Sequence, residues 1–484
     1  MIKYLVFRNG TGVKKMDENE VREAVDYDAL QEQRTDELTE LLDSRNMRTL
    51  KRRMEEMNEF DVAEFLSEIP DNRMPMVFRL LSKETAADVF ANFDTPDQER
   101  IINSMTDSEL AGIIEEMFVD DAVDMMEELP ANVVKRVMRA ATPQTRALIN
   151  QYLHYPEDSA GSIMTSEFVD LKKYMSVRES FARIRRIGED KETIYICFVI
   201  SAHRKLEGIV TVKDLLLADD DDIIENLMDR NVIFATTTED QESVSEKFSD
   251  YDLMALPVVD TEGRLVGIVT VDDIIDVMEQ ETTEDFELMA AMTPSDKPYS
   301  RSSILEIWKN RIPWLMFLML SATFTSMILT HFESRLAVHA ALIAFIPTLM
   351  GTGGNSGAQS STAVIRSLSL GDSEPKDAAK VMWKELRVAF LCGLTLACVN
   401  FAKMLILDGW IMHNDAITVS VALTVSSAIL FIVIFAKVVG SMLPIGAEKI
   451  GVDPAVMANP LISTVTDTVS LLIYIFMAKL ILRI

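Results

Sequence analysis

The spacing of hydrophobic and polar positions changes character near residue 300. Before it, apolar residues recur three and four apart in short windows, as in Ala63, Leu66, Ile69 and in Val123, Met126, Leu129. That is the period of short amphipathic helices. Start signals punctuate them: Thr95-Pro96-Asp97-Gln98, the capping box Thr106-Asp107-Ser108-Glu109, and Thr142-Pro143. Residues 55–157 therefore predict an all-α superhelical domain behind a polar, partly helical lead-in over 1–54. Beyond residue 300 the apolar runs reach membrane length, with 21 uncharged residues between Arg311 and Glu333 and 30 between Arg335 and Arg366. Spans are expected at about 312–332, 336–365, 388–407, 416–440 and 454–480, making 308–484 a five-helix transmembrane domain.

Between these halves the pattern repeats itself. Glu207-Gly-Ile-Val-Thr-Val-Lys-Asp214 returns 59 positions later as Val266-Gly-Ile-Val-Thr-Val-Asp-Asp273, and Ser162-Ile-Met-Thr165 is echoed by Asn226-Leu-Met-Asp229. Each copy, 158–222 and 223–280, reads as strand, helix, strand, turn, strand, helix, giving an α/β pair. A linking helix is expected over 277–307.

Charge sharpens the division. Of the 47 basic and 76 acidic residues, only 14 and 11 lie from Arg301 onward, so the strong negative charge sits almost entirely in the first 300 residues. Such a front repels nucleic acid and anionic lipid and attracts cations. Arg366, Lys376, Lys380, Lys384 and Arg387 follow the second span, and Lys309 and Arg311 precede the first. Both groups place the N-terminal domains in the cytoplasm, in keeping with the shortness of Leu5-Val6-Phe7 as an export signal. Five spans then leave the C-terminus outside, against the mild counter-signal of Lys479 and Arg483. The three cysteines form no CxxC pair and read as small core residues. No nucleophile–base pair, phosphate loop or HExxH site marks an enzyme.

Chemistry concentrates at two places. Asp467 lies within the last apolar run, where an ionisable group costs about 2.5–3.5 kcal/mol on the gentlest insertion scale. The second span carries Gly351-Thr-Gly-Gly-Asn-Ser-Gly357 behind Pro347, which reads as a break in the helix and as irregular backbone lining a cavity. Close helix packing through small residues is the other reading of those glycines. The second place is acidic: Asp273, Asp276, Glu281, Glu284 and Asp285, with Asp240, Glu242 and Asp252 earlier in the second copy. Carboxylates three and four apart on one helix destabilise it unless a cation intervenes. Plain solvation of an acidic surface is the alternative for any one of them.

The repeat resembles the CBS domain, a module that pairs two copies. Pro347-Thr-Leu-Met-Gly-Thr-Gly-Gly-Asn-Ser-Gly-Ala-Gln-Ser360, with Gly451-Val-Asp-Pro-Ala455, Asn459-Pro-Leu461 and Asp467, resembles the signature of the MgtE family of magnesium channels. The resemblance covers roughly residues 55–484 and also the order of domains. It implies a homodimer with a pore on the two-fold axis, Asp467 holding the ion and Asp453 at the inner mouth. Asn355 and the carbonyls of Gly351, Gly353 and Gly354 would meet its waters. It further implies regulatory Mg²⁺ bound by the acidic residues above, joined from the N-terminal domain by Glu116, Asp120 and Glu84. The linking helix becomes a plug. Thr211 and Asp214 match positions that contact an adenine nucleotide such as ATP, but Ile196 and Lys213 stand where an aromatic and an arginine are usual. Ala358 replaces a common asparagine. The expected activity is Mg²⁺ import across the bacterial inner membrane, gated by cytosolic Mg²⁺. Rivals are a carrier of Mn²⁺ or Co²⁺ and a non-conducting, membrane-tethered cation sensor.

Overall fold

The computed structural model describes residues 33–295, 302–336, 341–457 and 459–483, with Arg8–Asn9, Gly12–Val13 and Tyr299. Most of the lead-in therefore lies outside the described residues; β1 (Arg8–Asn9) and β2 (Gly12–Val13) form a small antiparallel hairpin within it. The chain divides into two compact units, Met1–Ile274 and Ile275–Ile484.

The first unit opens with helices α1 (33–43), α2 (Met47–Met54), α3 (Glu59–Glu68), α4 (Met74–Phe78) and α5 (Lys83–Ala91). It continues with α6 (Thr95–Ser104), α7 (Asp107–Ile114), α8 (Val119–Glu128), α9 (Ala131–Ala140) and α10 (Pro143–Tyr152). Side-chain caps start them: Ser82, Thr106 and Thr142 each accept the amide three residues on, and Glu109 closes the predicted box. The start expected at Thr95 comes one residue earlier. Asp94 is the N-cap, because Pro96 needs only to fall in the first turn, where no amide is required. Helices two apart in sequence pack together, α3 on α5, α5 on α7 and α7 on α9, which makes a helical stack.

The repeat folds twice in the same way. Strands β3 (Phe168–Leu171), β4 (Thr193–Ile200) and β5 (Leu206–Thr211) form one sheet, parallel then antiparallel. Strands β6 (Ala235–Thr236), β7 (Ala255–Val259) and β8 (Leu265–Thr270) repeat it. Helices α11 (Val177–Ile187) and α14 (Gln241–Tyr251) make the parallel crossovers; α12 (Val212–Leu217) and α15 (Val271–Met289) follow the third strands, and α13 (Ile224–Leu227) joins the copies.

The repeated glycines have a steric reason. A Cβ on Gly208 would stand 2.7 Å from the Asp229 carbonyl oxygen and 2.9 Å from Met228 Sδ; on Gly267 it would meet Met164 Sδ at 2.7 Å and the Thr165 carbonyl at 2.8 Å. Each copy's third strand is thus capped by the leader of the other copy, through the bridges Ile209–Asp229 and Thr165–Ile268. That exchange explains why Ser162–Thr165 and Asn226–Asp229 echo one another.

The second unit contains α16 (Ile304–Leu336), α17 (Ala341–Ala344), α18 (Ile346–Ser369), α19 (Ala378–Lys403), α20 (Val419–Lys449) and α21 (Asn459–Leu482). Around α20 pack α18, α19 and α21, over a core that includes Val425, Ile429, Ile432, Leu471 and the buried Tyr474. Tyr474 donates its hydroxyl to the Leu342 carbonyl at 2.9 Å. By length and composition, four helices among the described residues are apolar enough to cross a membrane, those holding 304–332, 375–411, 419–449 and 454–482. Helix α18 has 24 residues, about 36 Å of helix, but its glycines and hydroxyls keep it out of that group.

Two expectations need correction. The glycine segment does not break its helix: the interruption of the second span falls earlier, at Phe345 between α17 and α18, and α18 runs unbroken from Ile346 with Pro347 in its first turn, where the missing amide is harmless. Gly353, Gly354 and Gly357 serve close approach, whereas Gly351 faces open space. A Cβ on Gly440 would lie 2.3 Å from the Gly357 carbonyl oxygen, so α18 and α20 cross backbone to backbone. The linking helix expected over 277–307 ends at Met289 instead. Ala291 sits at φ +53°, with Ala291 N–H donating to Leu288 O and Met292 N–H to Glu287 O. This is a Schellman ending, and Pro294 follows it.

Candidate ion-binding sites

In the membrane unit, the buried face of α18 seats its glycines on α21. The Cβ positions of Gly353, Gly354 and Gly357 lie 2.7 Å from Ser470 Oγ, 3.2 Å from Ser463 Oγ and 3.5 Å from Thr466 Cγ2. Asp467 follows Thr466 and is half-buried at the margin of this contact. Two neighbouring hydroxyls are engaged by the helix itself, Thr466 with the Ser463 carbonyl and Thr468 with that of Thr464. Among the described residues, Asp467 has no hydrogen-bonding or ionic partner within its protomer.

The opposite face of α18 is different. Thr348, Gly351, Asn355, Gln359 and Thr362 recur at helical spacing and are all exposed. Of the residues expected to meet the ion's waters, Gly351 and Asn355 belong to this stripe, whereas Gly353 and Gly354 are packed inside the bundle.

In the first unit, the fold gathers a ridge of carboxylates around α8. Burial, then the neighbouring Asp121, Asp273 and Glu192 carboxylates, push Asp120 up to about 8. Burial and Asp273, Asp88 and Asp272 raise Asp121 to about 6; burial with Asp121, Glu127 and Asp273 raises Asp124 to about 7. Glu192, at the start of β4, rises to about 7 through burial and Asp273 and Asp272. Asp88 is raised by burial and by Glu59 and Glu84. Asp120 Oδ1 is buried without a hydrogen-bond partner. The ridge brings together Asp120, Asp273 and, at its margin, Glu84 from among the residues named from the sequence, and adds Asp121, Asp124, Asp88 and Glu192. Those four were missed because they come from α5, from α8 and from the residue before β4, which only the fold brings together. The Asp-Asp-x-x-Asp spacing of 120, 121 and 124 was the available signal.

Asp273 also accepts the Thr270 hydroxyl at 2.6 Å, starting α15. Among the described residues no three Asp, Glu, His or Cys side chains converge as a direct ligand set. Carboxylates alone, one of them buried and unsatisfied, fit a hard cation that keeps several of its waters.

A second acidic pair forms in the membrane unit. Asp285 on α15 is raised by burial and by Asp453, while the Ser369 hydroxyl and Arg366 act in the opposite direction. Asp453 caps the turn Pro454–Met457 by accepting the Ala455 amide at 2.7 Å. Leu288 and Met289 pack on Ile365 and Ala455, which holds the end of α15 against the ends of these segments.

Other expected ligands have local structural roles. Asp240 caps α14 through the Glu242 amide at 3.0 Å, and Asp252 is its left-handed C-cap at φ +50°. Neither is among the carboxylates that crowd Asp120. Glu116 is exposed beyond α7, and Asp276, Glu281 and Glu284 lie along α15. Thr211 and Asp214 form the capping box of α12, the Thr211 hydroxyl donating to Asp214 at 2.5 Å.

A helical stack, a paired strand–helix repeat and a bundle of membrane-length helices, with carboxylates in both units, define a membrane protein that handles cations. Sequence comparison is specific. Residues 346–477 match the MgtE divalent cation transporter family, 57–158 its intracellular N domain, and 160–221 and 224–280 the CBS domain. The magnesium transporter MgtE of Thermus thermophilus is 37% identical over 450 residues, covering 92% of this chain and 98% of that protein. The Bacillus subtilis protein of the same name is 28% identical over 438 residues, 90% of this chain and 94% of the relative. The soluble part of a magnesium transporter superposes with a TM-score of 0.50 at 29% identity, spanning 52% of this chain and 99% of that one. A cytosolic domain of the Mg²⁺ channel MgtE in complex with ATP, 35% identical, has a TM-score of 0.48 over 50% of this chain and 99% of its own. The chain belongs to the MgtE family of divalent cation transporters, a family of transporters rather than enzymes.

Proposed function

We propose that this chain imports Mg²⁺ across the bacterial inner membrane as a homodimeric channel gated by cytosolic Mg²⁺. The observation that carries the reading is the exposed polar stripe of α18. Asn355, Gln359 and Thr362 at bilayer depth are unfavourable against lipid and need water or a second copy. With α18 counted as the fifth span beside α16, α19, α20 and α21, the stripe lines an aqueous path on a two-fold axis. The N-terminal unit is then cytoplasmic and the C-terminus outside.

Mg²⁺ sheds water slowly and is held by one or two carboxylates with its remaining waters in place. Asp467 supplies that carboxylate, once from each protomer, and Asn355 and Gly351 offer polar groups to the waters. Asp453, with Asp285, stands at the inner mouth. The carboxylate ridge at Asp120, Asp121, Asp124, Asp273 and Glu192 is the regulatory sensor. High cytosolic Mg²⁺ offsets its repulsion and holds the compact, closed state; when Mg²⁺ falls, repulsion favours separation and opening. Several weak sites together supply the differential of a few kcal/mol that such a population shift requires. For an adenine nucleotide in the CBS pair, exposed Asp214 is the residue to test, since its carboxylate can accept ribose hydroxyls.

The test is Mg²⁺ uptake by proteoliposomes holding Asp467→Ala. Uptake should disappear while the purified protein keeps the parental dimer size. Undiminished uptake would refute the ion path, and a monomer with full uptake would refute the two-fold pore. Competition with Mn²⁺ and Co²⁺ in the same assay separates the Mg²⁺ reading from its divalent rivals.

A further inference from the structure

The bundle holds a buried charge that the ion path does not use. Lys437 on α20 is 5% exposed. Its Nζ donates to Ser360 Oγ of α18 at 3.2 Å, and Ser360 donates onward to Glu385 Oε2 of α19 at 2.6 Å. The three roles are mutually consistent: an ammonium has only donors, a carboxylate only acceptors, and a hydroxyl serves both. Ser360, 2% exposed, is the link between the two charges.

Its position gives the chain of bonds a purpose. Ser360 lies one turn beyond Gly357, and Lys437 one turn before Gly440, the two glycines whose backbones cross at closest approach. A glycine crossing is close but featureless, because without side chains the helices are free to slide and rotate. The relay adds direction to that contact and ties α19 to it as well. It fixes the rotation of α18, whose far side carries Gly351, Asn355, Gln359 and Thr362.

We propose that Lys437, Ser360 and Glu385 are positioning residues for ion passage, a three-helix charge relay that holds the polar stripe of α18 toward the path. Glu385 has a second duty in this arrangement. It balances the Lys437 ammonium, which would otherwise stand unneutralised in the bundle that conducts a divalent cation and oppose it more strongly than a monovalent one. The proposal rests on the ion-path reading above.

The experiment measures Mg²⁺ and K⁺ flux in proteoliposomes for the full chain and for Glu385→Gln, Lys437→Met, Ser360→Ala, the double variant Glu385→Gln/Lys437→Met, and Asp467→Ala. Glu385→Gln should lower Mg²⁺ flux at least about tenfold and shift the Mg²⁺:K⁺ ratio toward K⁺, because it unmasks the ammonium. Ser360→Ala, which keeps both charges and nearly the same volume, should lower Mg²⁺ flux several-fold at unchanged dimer yield. The double variant should recover most of the loss, since removing both charges is tolerated where removing one is not. Parental flux in Ser360→Ala and Glu385→Gln, an unchanged ion ratio in Glu385→Gln, or a double variant no better than either single would each overturn the relay. Asp467→Ala separates the two levels: if it conducts like the parent the ion path itself is wrong, and if it is silent while the relay variants conduct fully, only the relay is wrong.

Discussion

Around α8 the chain collects Asp120, Asp121 and Asp124 with Asp273 and Glu192, and no basic side chain among the described residues pairs with the three on α8. At the crossing of α18 and α20 the one buried lysine of the membrane bundle's described residues reaches a carboxylate through a single hydroxyl. The first arrangement leaves its electrostatic energy open to whatever cation is dissolved nearby, whereas the second satisfies its own charges and fixes geometry. Crowded like charges make a region's stability adjustable, and matched charges beside a glycine crossing make it constant. A gated channel needs both, a sensor that responds to the ion and a path that does not deform when the ion arrives.

The comparison breaks most readily on the rigid side. In Gly440→Val the new Cβ would stand 2.3 Å from the Gly357 carbonyl oxygen and 2.9 Å from its carbon, backbone atoms that cannot turn aside. Overpacking of this kind costs about 3 kcal/mol. The purified variant should melt many degrees lower at every Mg²⁺ concentration, measured by fluorescence-detected thermal stability in detergent. A parental melting curve would mean the crossing is not close-packed.

The adjustable side should move the other way. Asp120→Asn/Asp124→Asn removes two crowded carboxylates, one with an unsatisfied buried oxygen. Stability without Mg²⁺ should rise by several kcal/mol, on the order of what carboxyls held at about 8 and 7 against an ordinary value near 4 imply. Mg²⁺-dependent protection from proteolysis should shrink, and Mg²⁺ flux should persist at concentrations that close the parent. Equal Mg²⁺ protection in parent and variant would remove the ridge from the gating scheme.

Protons provide the same test without mutation. Asp120, Asp121, Asp124 and Glu192 hold their protons more tightly in the fold than in the unfolded chain, at about 8, 6, 7 and 7. Their contribution is therefore fully present below the ordinary carboxylate range near pH 4 and is lost as pH rises through 6 to 8. Without Mg²⁺, protease resistance of the N-terminal unit should fall across that window. With saturating Mg²⁺ the fall should flatten, because the ion replaces the protons. A pH profile unaffected by Mg²⁺ would show that these carboxylates do not bind it.

How much of this was legible beforehand follows the same division. Local signals read well: the Thr106–Glu109 box, the Thr142 cap and the eight-residue repeat all lie where the residues put them, because each depends on neighbours in sequence. Asp240 and Asp252 have a local role as well, since an acidic residue at a helix end satisfies a backbone amide or turns the chain. The ridge was half visible, through Asp120 and Asp273, while Asp121, Asp124 and Glu192 join it only through carboxylates far apart in sequence that the fold brings close. Gly351–Gly357 misled because glycine and polar residues fit both a broken helix and a close-packed one; only the position of α20 decides. Lys437 was hidden for a related reason, standing at the far end of an apolar run without a sequence neighbour to pair it.

The smallest expected effect lies on α15, which carries Glu281, Glu284 and Asp285 and ends in a strictly geometric device. Ala291 closes the Schellman ending at φ +53°, a conformation that costs an L-residue with a Cβ about 1–2 kcal/mol and glycine much less. Ala291→Gly should therefore stabilise the ending by about 1 kcal/mol, partly offset by glycine's greater freedom in the unfolded chain. The relief comes from backbone sterics and involves no charge, so the shift in melting temperature should be the same with and without Mg²⁺ and at pH 6 and 8. A gain that appears only at high Mg²⁺ would mean that the cap and the acidic face of α15 move together, and the division between adjustable charge and fixed geometry would have to be redrawn through this helix.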